Sequence, residues 1–115
     1  MATSKEYLSF ILEQLSGLEE ITYRMMMGEY IIYYRGKIAA YLCDDRMLVK
    51  PVQSALERMP GASLEPPYEG AKEMLLVEEV DDSAFLTALF MDMYEELPVS
   101  KPKKRKKKRE RKAGK

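Results

Sequence analysis

Carboxylates are the first candidates for chemistry in this chain. Asp44 and Asp45 stand side by side, and Glu78, Glu79, Asp81 and Asp82 form a denser acidic group. A general acid–base pair or a metal site needs such oxygens to converge. Adjacent carboxylates on a turn diverge instead and lack the separation of a catalytic pair, while the second group has no EF-hand spacing. Asp44 and Asp45 are therefore expected to serve a turn and accept local N–H bonds, and the second group to cap a helix and solvate. Cys43, the single cysteine, is followed directly by two carboxylates, which raise a thiol pKa, and is expected to be unreactive. The chain has no histidine, which removes Ser-His-Asp and Cys-His arrangements, His-containing zinc sites and His general bases. No catalytic residue, metal ligand or cofactor is expected, and the chain reads as something other than an enzyme.

Cations are the second candidate. Residues 101–115 carry eleven of the 19 Lys and Arg against one acid, a net +10, which leaves eight bases against eighteen acids, a net −10, in the remainder. Lys103, Lys104, Arg105, Lys106, Lys107, Lys108, Arg109, Arg111 and Lys112 are the expected nucleic-acid contacts, acting by counterion release without reading sequence. The composition of this segment predicts a disordered, self-repelling tail. An anionic membrane surface is the weaker alternative, with no amphipathic or lipid anchor to help. Tyr30, Tyr33, Tyr34 and Tyr41, interleaved with Arg24, Arg35 and Lys37, resemble a base-stacking sheet in type but carry no RNP-like motif. Tyrosines also suit half-buried strands and interfaces, and that reading is preferred.

The elements that hold these residues follow from periodicity. Thr3 and Glu6 have capping-box spacing, Leu8, Ile11, Leu12 and Leu15 recur at helical intervals, and Gly17 is placed to end that helix. Four short strands then fill residues 21–49, separated by turn signals at Met27-Gly28-Glu29, Arg35-Gly36 and Asp44-Asp45. Ile31, Ile32, Tyr33 and Tyr34 put large apolar groups on both faces of one strand. Helices can cover one face, and a partner subunit is expected on the other. A short helix follows Pro51, the stretch from Pro60 to Lys72 reads as a Pro- and Gly-rich surface loop, and "EMLLVEEV" reads as a fifth strand. Asp81 and Asp82 precede a last helix with the stripe Leu86, Leu89, Phe90, Met93 and Leu97, widened by Phe85 and Tyr94. The fold class is α+β, a two-layer domain with helices on an antiparallel sheet, over residues 1–98, followed by a lysine-rich tail over 99–115. The first residues lack a signal-peptide h-region and no run approaches the ~18 apolar residues of a membrane span, so a cytoplasmic location is expected.

Three short motifs add a resemblance. Arg24, Met25, Met26, Met27, Gly28, Glu29 and Tyr30, then Arg35, Gly36 and Lys37, then Asp44, Asp45, Arg46, Leu48 and Lys50 follow in order the pattern of the TfoX/Sxy family's N-terminal domain. The founding members of that family are bacterial regulators of natural competence. Met27 and Glu29 stand where many relatives have Phe and a second Gly, and full-length regulators carry a further C-terminal helical domain where this sequence has its lysine-rich segment. The resemblance implies a secretion-chaperone-like α/β domain with no catalytic residues, and because of that second departure competence regulation itself is not carried over; a regulatory or competence-related accessory role is the expectation. The expected function is a non-enzymatic interaction domain with an unidentified protein partner and non-specific nucleic-acid affinity from its tail. A chaperone-like homodimer is the alternative, and a small metal-dependent enzyme ranks below both.

Overall fold

A computed structural model describes residues 3–98 of the chain; the tail cations and the boundary expected after residue 98 lie outside the described residues. Helix α1 (Lys5–Gln14) leads into four strands, β1 (Ile21–Met26), β2 (Glu29–Tyr34), β3 (Lys37–Cys43) and β4 (Arg46–Val49). Helix α2 (Gln53–Arg58), strands β5 (Leu64–Glu65) and β6 (Met74–Val77) and helix α3 (Ser83–Tyr94) complete the order. One six-stranded sheet runs β1-β2-β3-β4-β6-β5, antiparallel throughout.

The first four strands form a meander because each connection is a two-residue turn of the type that suits strand twist. Met27 and Gly28 (φ 55° and 84°), Arg35 and Gly36 (52° and 85°), and Asp44 and Asp45 (55° and 54°) all have positive φ, as type I′ turns require. Glycine meets that demand without strain at the second position of two turns. Asp44 and Asp45 meet it through the tolerance of Asp for left-handed backbone.

One face of the sheet carries the main core. Tyr30, Ile32, Leu42, Met47, Val49, Leu75 and Val77 are buried there against Leu8, Ile11 and Leu15 from α1 and Leu86, Leu89, Phe90 and Met93 from α3. Each fully buried aliphatic or aromatic side chain contributes roughly 1.5–3 kcal/mol, and Phe90→Ala, which also opens a cavity, costs about 3–5 kcal/mol. The stripe read from the last helix is therefore the element's core face.

Several expectations change. The N-cap of α1 is Ser4, whose Oγ accepts the Tyr7 N–H at 3.1 Å, so Thr3 and Glu6 do not form the capping box. Thr3 is buried and bonded elsewhere. Helix α1 has Leu15 at its C-cap, and Gly17 lacks the positive φ of a C′ glycine. The stretch from Pro60 to Lys72 is not wholly loop: Leu64 and Glu65 pair with Leu75 and Met74 as a short edge strand. Two residues between a Gly and a Pro-Pro pair give no readable period, which is why the sequence concealed this strand.

The second face of the sheet is also partly covered. Ile31, Leu48, Cys43 and Met74 are buried there, and Pro67, buried, comes from the segment after β5. The chain's own Pro-rich loop covers part of this face.

Candidate interaction site

The motif residues occupy positions that build the fold. Tyr30 and Leu48 are buried. The Lys37 Nζ donates to the Tyr94 carbonyl at 3.0 Å and lies 4.1 Å from that residue's ring centroid, capping the last turn of α3. Arg46 donates from Nε to the Cys43 carbonyl at 3.1 Å and from Nη1 to Glu65 Oε1 at 2.6 Å, which ties β4 to the edge strand β5 across β6. Arg24 and Met25 are exposed on β1, and Lys50 is half-buried after β4.

Asp44 and Asp45 do serve a turn, but their bonds are not local. Asp45 Oδ1 accepts the Ser4 N–H at 3.0 Å. Its own N–H donates to Thr3 Oγ1 at 3.3 Å, and the Asp44 N–H donates to Glu29 Oε1 at 3.1 Å. The Thr3 hydroxyl also lies 2.8 Å from Glu29 Oε1 and 2.9 Å from the Leu42 carbonyl, while the Thr3 N–H donates to the Gly28 carbonyl at 3.1 Å. Thr3 thus joins the β1–β2 and β3–β4 turns to the start of α1. Glu29, one of the departures from the family pattern, is the acceptor at the centre of this network.

In the second acidic group, Asp82 caps α3, its Oδ1 accepting the Phe85 N–H at 3.0 Å, while Glu78, Glu79 and Asp81 are exposed. Among the described residues, no three Cys, Asp or Glu side chains are grouped to hold a metal ion.

What remains open is apolar. Tyr23, Met25, Met26 and Met27 are exposed on β1 and its turn, Met27 at 95%, and Tyr68 is 59% exposed on the Pro-rich loop. Beneath Met26, Met27 and Tyr68, on the second face of the sheet, lies a cavity of about 330 Å³ also lined by Glu29, Ile31, Tyr41 and Cys43. A second hollow of about 440 Å³, lined by Lys50, Pro67 and Lys72 among others, adjoins it and shares Tyr41 and Tyr68. The Cys43 thiol is pushed up to about 11, first by burial and then by Glu29 and Asp44 against the opposing pull of Arg46. Burial, and then the neighbouring Tyr68, Tyr33 and Cys43, raise the Tyr41 hydroxyl as well. Both groups are neutral at physiological pH. Glu29 Oε1, on the rim, is already committed to Thr3 and Asp44. Such a cavity suits an apolar side chain.

Of the four interleaved tyrosines, the structure places Tyr30 and Tyr34 in the core, where Tyr34 meets Phe90 and Tyr94. Tyr33 and Tyr41 are half-buried on the cavity side. Sequence reasoning did not single out Tyr68, Met26 or Thr3 as site or anchor residues. Three consecutive methionines beside a turn were the available signal for the first cluster; nothing in sequence announces that a loop tyrosine closes over them.

These features define an α+β domain whose turns are structural and whose open surface is largely apolar. The chain belongs to the TfoX N-terminal domain family, which matches residues 13–89. It is also 32% identical over 110 residues, covering 92% of this chain and 93% of the other, to an uncharacterized 12.7 kDa protein in the trpE 5′ region of Spirochaeta aurantia. Among the described residues, no helix is long and apolar enough to cross a membrane.

Proposed function

We propose that this protein is a non-enzymatic, regulatory interaction module that takes a bulky apolar side chain of a protein partner into the cavity beneath Tyr68. The observation that supports this reading most directly is the contrast between occupied polar groups and open apolar ones. The motif carboxylates and Lys37 are engaged in turns and caps, whereas Met26, Met27 and Tyr68 remain exposed around a largely apolar cavity whose one carboxylate, Glu29, is already bonded to Thr3 and Asp44. Methionine suits such a rim because its unbranched thioether adapts to different partners. Residues 101–115, net +10, add sequence-independent affinity for nucleic acid, and the net −10 of the rest repels phosphate. The module would thereby bring its partner to nucleic acid without choosing the sequence.

Two measurements on the full chain test this. A photo-crosslinking amino acid at Tyr68, introduced in the source cell, should trap a defined protein, and Met27→Glu should abolish that adduct while the thermal transition is retained. Duplex DNA affinity should fall on log–log axes against salt with a slope of about −5 to −7 if roughly 6–8 cations engage, equally for unrelated sequences. Truncation after Ser100 should remove DNA binding and leave the adduct. Adduct formation indifferent to Met27→Glu, or DNA binding that survives truncation, would refute the corresponding half of the reading.

A further inference from the structure

The two edges of the sheet are built to opposite designs. Strand β5 is two residues long, includes Glu65 and runs directly into Pro66 and Pro67, so it offers little to an added strand. Strand β1 has six residues, no proline and one charge, Arg24, and five of its six residues are exposed. Exposed, apolar and unguarded edges of this length pair with another strand.

The backbone phase of β1 can be read from its turn. A two-residue hairpin makes its flanking pair, Met26 and Glu29, the hydrogen-bonded one, and bonding alternates from there. The Arg35 N–H donating to the Glu20 carbonyl at 3.0 Å has the same parity and continues the ladder at the other end. Thr22, Arg24 and Met26 therefore bond to β2, and the N–H and C=O groups of Ile21, Tyr23 and Met25 point outward.

We infer that a second copy of this chain fills that edge, β1 against β1 and antiparallel, about a two-fold axis at Tyr23. A two-fold axis perpendicular to the sheet is the only one that pairs an edge with itself antiparallel, and it keeps the helices of both copies on one face. Any residue-centred axis keeps the outward phase, so the choice lies among Thr22, Tyr23, Arg24 and Met25. An axis at Thr22 pairs only Ile21 through Tyr23 before it reaches Glu20, whose φ of 60° leaves the strand. An axis at Arg24 opposes like charges at the closest backbone spacing, which is destabilising. An axis at Met25 runs the ladder into Met27, whose φ of 55° leaves the strand. An axis at Tyr23 uses Ile21 through Met25 entirely within the strand. It sets Tyr23 against Tyr23 of the copy, Ile21 against Met25 and Thr22 against Arg24, with no like charges opposed. The cavity side of Met26 and Met27 stays open, so this pairing is independent of the partner reading above.

A strand pair alone covers less than the roughly 800 Å² per partner of a standard interface. The dimer is expected to dissociate at concentrations on the order of 10 μM, and to be populated at ~100 μM. Sedimentation of the full chain at that concentration should give a dimer that persists when salt is raised to ~0.5 M, where surface charge attraction is screened. Tyr23→Lys opposes two cations on the axis and should weaken association by about tenfold or more, with unchanged circular dichroism. Tyr23→Cys should form a disulfide-linked dimer under mild oxidation, because hydrogen-bonded partners have Cα atoms ~5.5 Å apart, whereas Arg24→Cys, offset diagonally at more than ~7 Å, should not. If Tyr23→Lys fails to fold, the cysteine pair decides the matter. A monomer at ~100 μM, a dimer lost at high salt, a Tyr23→Lys dimer of unchanged strength, or cross-linking through Arg24→Cys in preference to Tyr23→Cys would each overturn the inference.

Discussion

Lys37 holds the end of α3 in two ways at once, donating to the Tyr94 carbonyl at 3.0 Å while its ammonium sits 4.1 Å from the Tyr94 ring. The same cation also faces the negative end of the helix dipole. Replacing it by Met keeps the aliphatic stem and removes all three contributions. Lys37→Met is expected to cost about 1–2 kcal/mol in a urea titration, with an unchanged slope. A loss within ±0.3 kcal/mol, or roughly the scatter of such measurements, would mean that α3 is held without it.

Thr3 joins two turns that are distant in sequence. Thr3→Val keeps the shape, removes the hydroxyl, and leaves the Asp45 N–H and the Leu42 carbonyl without this partner. The expected destabilisation is about 1–3 kcal/mol. A double-mutant cycle with Glu29→Gln should show a coupling of at least about 0.5 kcal/mol, since the two side chains are 2.8 Å apart. Additive losses would deny the network.

Cys43 makes stability fall in alkali. Its pKa is raised from an ordinary 9.0 to about 11 in the folded chain, so folding favours the protonated thiol. The corresponding stability is fully present below pH 9, declines as pH rises, and is lost through about 11; two units amount to roughly 2–3 kcal/mol. Tyr7 and Tyr41 are shifted in the same direction and add to the decline. Cys43→Ala should therefore begin less stable at pH 7 yet lose less between pH 9 and 11. The native thiol should also resist aromatic disulfide reagents at pH 8 until denaturant is added. Fast labelling of the folded protein would show that the loop does not cover it.

The local parts of this fold were legible in sequence, and the long-range parts were not. Gly28 and Gly36 and the Asp44-Asp45 pair identify their turns because positive φ restricts residue type. The α3 stripe is legible because Leu86, Leu89, Phe90 and Met93 follow the helical period. The bonds from Thr3 to Glu29 and from Ser4 to Asp45 span 26 and 41 residues, and no local pattern encodes them. The same holds for Tyr68, whose position over the cavity depends on a two-residue strand pinned by Arg46 and Glu65. Nothing in the Ile31–Tyr34 run shows that Pro67 returns to cover part of that face of the sheet.

Met27 makes the final prediction, because stability and recognition should part company there. It sits at the first position of a type I′ turn with φ 55°, a conformation that costs an ordinary side chain on the order of 1 kcal/mol, and at 95% exposure it gains almost nothing from packing in return. Asn accepts this backbone readily and is favoured in such turns. Met27→Asn should therefore stabilise the fold by roughly 0.5–1 kcal/mol, raising the thermal midpoint by several degrees for a domain of this size. The same change removes the thioether from the rim of the cavity, so the Tyr68 photo-adduct should decline by about tenfold or more, as a contact worth ~1.4 kcal/mol requires. Met27→Leu, which keeps an apolar side chain and the strain, should leave the midpoint near that of the parent and preserve most of the adduct. A stabilised Met27→Asn protein that still forms the full adduct would remove Met27 from the contact surface and confine recognition to Tyr41, Tyr68 and the hollow beside Lys50.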